Sequence, residues 1–283
     1  MSCKHPHANP ARAVLILGLI ATLAPPVALA QNSTQQQDPA AAPMQSVVVT
    51  GTRSLNRRTL DSESPVDVIS NKELLSTGSG ELATVLARLL PSMNFPRPSG
   101  ADASDAVRPA QLRGLSPDQT LVLVNGKRRH ASAVVNVNGT LGRGSAPVDL
   151  NAIPLAAIDH IEVLRDGAAA QYGSDAIAGV VNVILKKGAK GGDAEVVYGQ
   201  YDKGDGESAT VRGSAGFELG QDGWVRVAVE AADRKATNRS FADPRPSAGP
   251  RQGTVTQRYG DPDSRPAALF VNSQVKVNDA VDW

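Results

Sequence analysis

Residues 161–187 read IEVLRDGAAAQYGSDAIAGVVNVILKK. Ile161, Val163 and Leu164 form one short apolar run, and Val180, Val181, Val183, Ile184 and Leu185 form another. Both are rich in β-branched residues, which favour strands. Gly167, Gly173 and Gly179 punctuate the stretch between them at six-residue intervals among alanines. Glycine at such points permits positive φ and close backbone approach, so the spacing predicts strand, compact loop, strand, with Tyr172 as the one large anchor.

Three spaced glycines alone describe many surface connections, but the whole string is far more specific. It closely resembles the end of the plug domain of TonB-dependent outer-membrane receptors, where an "EVLRG…YG…A..GVVN.I" string is a hallmark. The matching residues are Ile161, Glu162, Val163, Arg165, Gly167, Tyr172, Gly173, Ala176, Gly179, Val180, Asn182 and Ile184. Asp166 departs from the pattern, standing where many members run Arg directly into Gly.

A second hallmark lies upstream. Arg113-Gly114 precedes the strand-like residues 120–124, TLVLV, and the turn Asn125-Gly126, whose two residues tolerate the left-handed angles of a tight hairpin. Arg113-Gly114 and the LVLVNG string match the plug family again. That resemblance implies that Arg113 and Arg165 pair with barrel carboxylates. It also implies that the loops around Arg128, Arg129, His130 and Arg143 face an external, anionic ligand. Gly139, Gly142 and Gly144 fit neither a dinucleotide-binding nor a phosphate-loop spacing.

Residues 61–187 are expected to form this α+β plug. Within them residues 65–70 predict a strand, Ser70 or Asn71 a helix cap with Glu73 near the helix start, and residues 80–90 an amphipathic helix that Ser79 caps and Pro91 ends.

Residues 1–30 carry Lys4 and Arg12, an apolar core over 13–24 and the small-residue site Ala28-Leu29-Ala30. This is the order of a signal peptide, with cleavage expected after Ala30; the core is short of the roughly 20 residues a spanning helix needs. Cys3, the sole cysteine, lies within it, so the remaining chain has no disulfide and no thiolate metal site. The formal charge is +1; without Lys4 and Arg12 there remain 27 basic against 28 acidic residues, which gives no support for nucleic-acid binding.

Residues 31–43 are polar and low in complexity and predict a tether; the whole segment 31–60 is read as a periplasmic linker. Within it, about 45–53, QSVVVTGTR has strand propensity and no local partner. Such a segment is suited to adding an edge to another protein's sheet. It resembles the TonB box, which implies that Val47, Val48, Val49 and Thr50 bind TonB and, through it, the inner-membrane energising complex. Gln45 stands where an acidic residue is frequent in the family. So short a lead leaves no room for the signalling domain that some members carry, and the chain is expected to be a transporter.

From residue 188 the texture alternates. Ala209, Val211, Gly213, Ala215, Phe217 and Leu219 interleave with Ser208, Thr210, Arg212, Ser214, Gly216 and Glu218; residues 224–231 and 267–277 repeat the pattern. A first strand is expected near 194–201. Period two with one apolar face fits a lipid-facing barrel strand and equally a soluble sheet with one buried face. A short turn over 220–223 and a long polar connection over 234–266 favour the barrel, in contact with outer-membrane lipid. About four strands are legible where plugged transporters have about 22, so residues 188–283 are read as an incomplete antiparallel β-barrel, and the chain as the N-terminal part of a longer receptor or a truncated product.

The resemblance implies active import across the outer membrane of a ferric siderophore, with cobalamin, haem or oligosaccharide as alternatives. A truncated module that only binds ligand or TonB is a further alternative. After residue 30 only His130 and His160 remain, and there is no H-E-x-x-H or G-x-S-x-G string, so neither an enzyme nor a metal or cofactor site is expected.

Overall fold

The computed structural model describes residues 65–100, 104–136, 142–166, 168–220, 222–278 and 281–282. The expected signal peptide, tether and TonB box (Val47, Val48, Val49, Thr50) and Gly167 lie outside the described residues. Elements run in chain order β1 (Val66–Ser70), α1 (Asn71–Ser76), α2 (Leu82–Leu89), β2 (Met93–Asn94), β3 (Gln111–Leu112), β4 (Thr120–Val124), β5 (Lys127–Arg128), β6 (Ile158–Leu164), α3 (Ala169–Tyr172), β7 (Gly179–Leu185), β8 (Gly192–Gly199), β9 (Ser208–Leu219), β10 (Gly223–Arg234), β11 (Ala267–Gln274), β12 (Lys276–Asn278) and β13 (Val281–Asp282). All belong to the unit Gln45–Trp283.

The first strand hands over to its helix through a capping box. The Ser70 hydroxyl accepts the Glu73 amide at 3.3 Å while the Ser70 amide donates to Glu73 Oε2 at 2.8 Å, so two donors with no helical partner are satisfied reciprocally. The second helix starts two residues later than 80–90 predicts. The Ser79 hydroxyl accepts the Glu81 amide at 3.2 Å, but Glu81 itself is the capping residue and makes no side-chain cap bond. The first-turn amide of Ala83 donates instead to Asn151 Oδ1, 68 positions away, at 3.0 Å.

The five-stranded sheet has the order β1-β6-β7-β4-β5, with β4 and β7 parallel and the other neighbours antiparallel. Its hairpin is the one Asn125-Gly126 predicts: both residues have positive φ, 50° and 76°, as a tight two-residue turn between twisted strands requires. One sheet face packs on α1 and α2 through Leu74, Leu82, Leu86, Leu112, Ile161 and Val181. Leu121, Leu123, Leu164, Ala168, Ala176 and Val180 form a second core on the other face, and Tyr172 packs against it. β7, covered on both faces, is therefore a continuous apolar run rather than an alternating one. Between β6 and β7 the sequence predicts only loop; the structure adds the helical turn α3 and a 3₁₀ turn at Ser174–Ala176.

The second sheet is antiparallel, in the order β11-β10-β9-β8. Its faces are inverted relative to a soluble sheet. Val196, Tyr198, Val211, Phe217, Val229, Leu269 and Val271 are exposed, while Thr210, Arg212, Ser214 and Arg226 are buried. A soluble sheet would bury the apolar set; the inverted pattern is the one that barrel strands show. The four strands match the start of a barrel, which is not closed among the described residues. The first is Gly192–Gly199 rather than 194–201, and the pattern predicted over 267–277 breaks after Gln274, where a separate hairpin of β12 and β13 begins. No helix of the described residues is long and apolar enough to cross a membrane.

Candidate functional site

The inward face of the four-stranded sheet meets the plug along a polar seam. Every second residue of β9 and β10 points to the plug, which brings Thr210, Arg212, Arg226, Glu230 and Arg234 to one surface. The Arg212 side chain, 1% exposed, binds Glu195 at 2.8 Å. Arg226 donates to the carbonyls of Gly188, Lys190 and Gly191 at 3.3, 3.1 and 3.4 Å, pinning the link between the two sheets. Arg234 donates to Gly80 O at 3.2 Å, and the Leu155 amide donates to Glu230 at 3.1 Å. Near the short-turn end, Asn272 donates to Lys186 O at 2.9 Å and accepts from Asn125 at 3.3 Å. Gly80 has no room for a side chain, since a Cβ there would lie 2.5 Å from Thr210 Oγ1.

At the long-connection end the seam is closed by ion pairs. Arg97 and Arg108, both from the plug, lie between Glu81 of the plug and Asp261 of the 235–266 connection. Arg108 reaches Glu81 Oε1 at 3.1 Å and Asp261 Oδ1 at 3.2 Å; Arg97 reaches Asp261 Oδ2 at 2.9 Å and also binds Glu81 Oε2. Thr84 and Asn151 each donate to Glu81 at 2.6 Å. Burial pushes the Glu81 carboxyl up, but the two guanidiniums and the Thr84 hydroxyl outweigh it and hold the group at about 2. Burial pushes neighbouring Asp149 up, against the bonds it accepts from the Arg108 and Asn151 amides. Gly260 and Ser99 are tied reciprocally, at 2.8 and 3.1 Å, which clamps the connection onto the plug.

Above this cluster opens a cleft of about 230 Å³. Its walls include Arg88, Arg97, Arg108, Arg234 and Lys235 against only Glu81 and Asp261 as acids, and Tyr201 supplies an aromatic edge. Such a surplus of cations in a partly enclosed space suits an anionic guest.

The residues expected from sequence are placed as follows. Arg113 has φ 55°, followed by Gly114 at 74°; its guanidinium donates to Ala178 O at 3.3 Å and lies 4.0 Å from Asp166. Arg165 pairs with Asp67 at 2.8 Å. In this structure both arginines therefore meet plug carboxylates, and the described contacts across the seam come from the other residues named above. Gly173 adopts φ 99°. Gly179 adopts φ 144°, and a Cβ there would meet Leu164 O at 2.3 Å. Buried Asn182 donates to Glu162 Oε2 at 3.0 Å and accepts the Gly126 amide at 3.0 Å, joining β6, β7 and the turn between β4 and β5. Arg128 binds Asp175 and the Tyr172 carbonyl, Arg129 stacks over Phe270 at 5.3 Å, and His130 and Arg143 are exposed. None of these four lines the cleft. Its cations, Arg88, Arg97, Arg108, Arg234 and Lys235, belong to no motif of the sequence; Arg97 and Arg108 lie in a Pro-, Ser- and Asp-rich loop with no periodicity, and Arg108 meets its partner Asp261 across 153 positions.

The TonB-dependent Receptor Plug Domain model matches residues 58–180. The probable TonB-dependent siderophore receptor PirA of Acinetobacter baumannii is 37% identical over 122 residues, 43% of this chain and 16% of that protein. The vitamin B12 transporter BtuB of Photobacterium profundum is 33% identical over 171 residues, 60% of this chain and 25% of that protein. The ferric enterobactin receptor PfeA, in complex with BCV-L6, superposes with a TM-score of 0.58 at 26% identity, covering 76% of this chain and 31% of that one. The chain thus spans a third or less of the length of these proteins, which are receptors and transporters rather than enzymes.

Proposed function

We propose that this chain, whose residues 58–180 match the TonB-dependent Receptor Plug Domain and whose second sheet resembles the first strands of such a receptor's barrel, serves the import of an anionic iron chelate, a ferric siderophore, across the Gram-negative outer membrane. The observation that carries the reading is the inverted sheet, apolar outward and clasped by its polar face onto the plug, with a cation-rich cleft at one end of the seam. The long connection at that end faces the exterior and the short turn faces the periplasm, as barrel loop lengths dictate. Ligand enters from outside; TonB adds a strand to Val47, Val48, Val49 and Thr50 from the periplasm and draws energy from the inner-membrane complex. Arg113 and Arg165 link plug and barrel through barrel carboxylates. Arg128, Arg129, His130 and Arg143 serve as outer ligand contacts.

A second reading, cobalamin, is favoured by the likeness to BtuB. The test is accumulation of radioactive iron, supplied as a ferric tris-catecholate, by cells making the protein with and without TonB. Import that requires both is expected. Equal accumulation without TonB, or import of labelled cobalamin alone, contradicts the siderophore reading.

A further inference from the structure

Arg97 belongs both to the ion-pair cluster and to the wall of the cleft. Its guanidinium, a third exposed, holds Glu81 on one side and Asp261 on the other. Arg88 and Arg234 approach the same cleft from opposite elements, and each spends a donor on a backbone carbonyl, Thr77 O at 3.1 Å and Gly80 O at 3.2 Å. Neither forms a close ion pair among the described residues, although the charge of Arg234 also acts on Glu81. Three cations therefore converge, and only Arg97 is already committed to a carboxylate that can leave.

Asp261 is that carboxylate. Glu81 is only 12% exposed and is also held by Arg108, Thr84 and Asn151, whereas Asp261 is 25% exposed and can regain water when displaced. We propose that the cleft binds a multiply charged oxyanion, and that this anion displaces Asp261 from Arg97 and loosens the 235–266 connection from the plug. For the identity of the natural guest as an iron chelate, the inference rests on the import reading; the exchange itself does not. The connection then keeps Arg108 on Asp261, Arg258 on Asp105 of the plug at 3.7 Å and the bonds of Ser99 to Gly260 and Arg258, one arm of its ionic latch having gone. The guest does not come from lipid, because Arg234 lies on the plug side of its strand and the cleft opens between plug and sheet.

Anion and latch are coupled reciprocally: the factor by which the anion favours the open latch is the factor by which opening favours the anion. The test uses purified protein in detergent, with a ferric tris-catechol complex as the charged probe and neutral cyanocobalamin as control. Amide exchange over residues 237–261 should speed up with the charged probe only. In Asp261→Asn protein that exchange should be fast without probe, and probe affinity should rise at least about fivefold. Arg88→Gln, an exposed change outside the latch, should weaken probe binding and leave probe-free exchange as in the parent. Failure of the probe to bind, binding with unchanged exchange, or Asp261→Asn protein that binds no more tightly overturns the proposal. Unchanged exchange in a protein that still imports iron counts against the latch alone; an intact latch response without import counts against the import reading alone.

Discussion

Glu230 and Leu155 meet across the seam, with the Leu155 amide donating to Glu230 Oε2 at 3.1 Å. Leu155 opens the 3₁₀ turn Leu155–Ala157, whose first amide has no partner within the turn, and the barrel carboxylate supplies one. Glu230→Ala should leave that buried donor unpaired and cost about 1–3 kcal/mol, while Glu230→Gln keeps an acceptor and costs less. Guanidinium titration of the purified variants checks the order; equal losses would show that the contact is incidental.

The inverted faces give a second expectation. Val211 is 57% exposed on the apolar face, so Val211→Lys places a charge against lipid at a cost of about 2–4 kcal/mol near mid-bilayer. Phe241, 88% exposed on the long connection, should accept lysine without effect. The yield of folded protein in outer-membrane preparations distinguishes them. Equal yields would mean that the apolar face meets water.

Gly179→Ala should destabilise the plug strongly. A residue at φ 144° carries about 1–3 kcal/mol of backbone strain, and here the added Cβ also meets Leu164 O at 2.3 Å and Leu112 Cδ2 at 2.5 Å. Gly144→Ala, at φ 88° with open space around it, should show the strain without the clash. Thermal unfolding of the two variants separates these contributions.

The ion cluster predicts an acid-sensitive plug. The Glu81 carboxyl is held at about 2 in the folded protein against an ordinary 4.5, so its contribution is fully present above about pH 4.5 and is lost as pH falls toward 2, on the order of 3 kcal/mol in all. Asp149, raised by burial, acts in the opposite sense and softens the slope. Glu81→Gln should flatten the fall in stability between pH 4.5 and 2. An unchanged slope would remove Glu81 from the network. His160 works in the opposite sense: its bond to Glu162 raises it despite burial, with Asp159 assisting, so its contribution is complete below pH 6.5 and is lost as pH rises through its folded value.

Local physics made much of the fold legible. The β-branched runs of β6 and β7, the left-handed pair Asn125-Gly126, the Ser70 to Glu73 box and the two-residue period of β9 each carry their own structural instruction. The short turn α3 carries none, because four residues are too few to show helical periodicity. The start of α2 is displaced because the carboxylate of Glu81 is drawn to Arg97, Arg108 and Asn151 rather than to its own helix. The cleft was least legible of all. Arg97, Arg108, Arg234 and Asp261 come from loops and a strand end that only the folded chain brings together, and charge at one position says nothing about a partner 153 positions away.

Energy coupling is the centre of the functional account, and it rests on Val47, Val48 and Val49 binding by strand addition. Affinity should then follow main-chain donors rather than side-chain identity. Val48→Pro removes an N–H and fixes φ near about −65°, whereas Val48→Thr keeps both the donor and the strand propensity. The direct measurement is titration of the periplasmic TonB domain against peptides covering residues 43–54. The account predicts binding for the parent and threonine peptides and none for the proline peptide; equal affinity for the parent and proline peptides would contradict it.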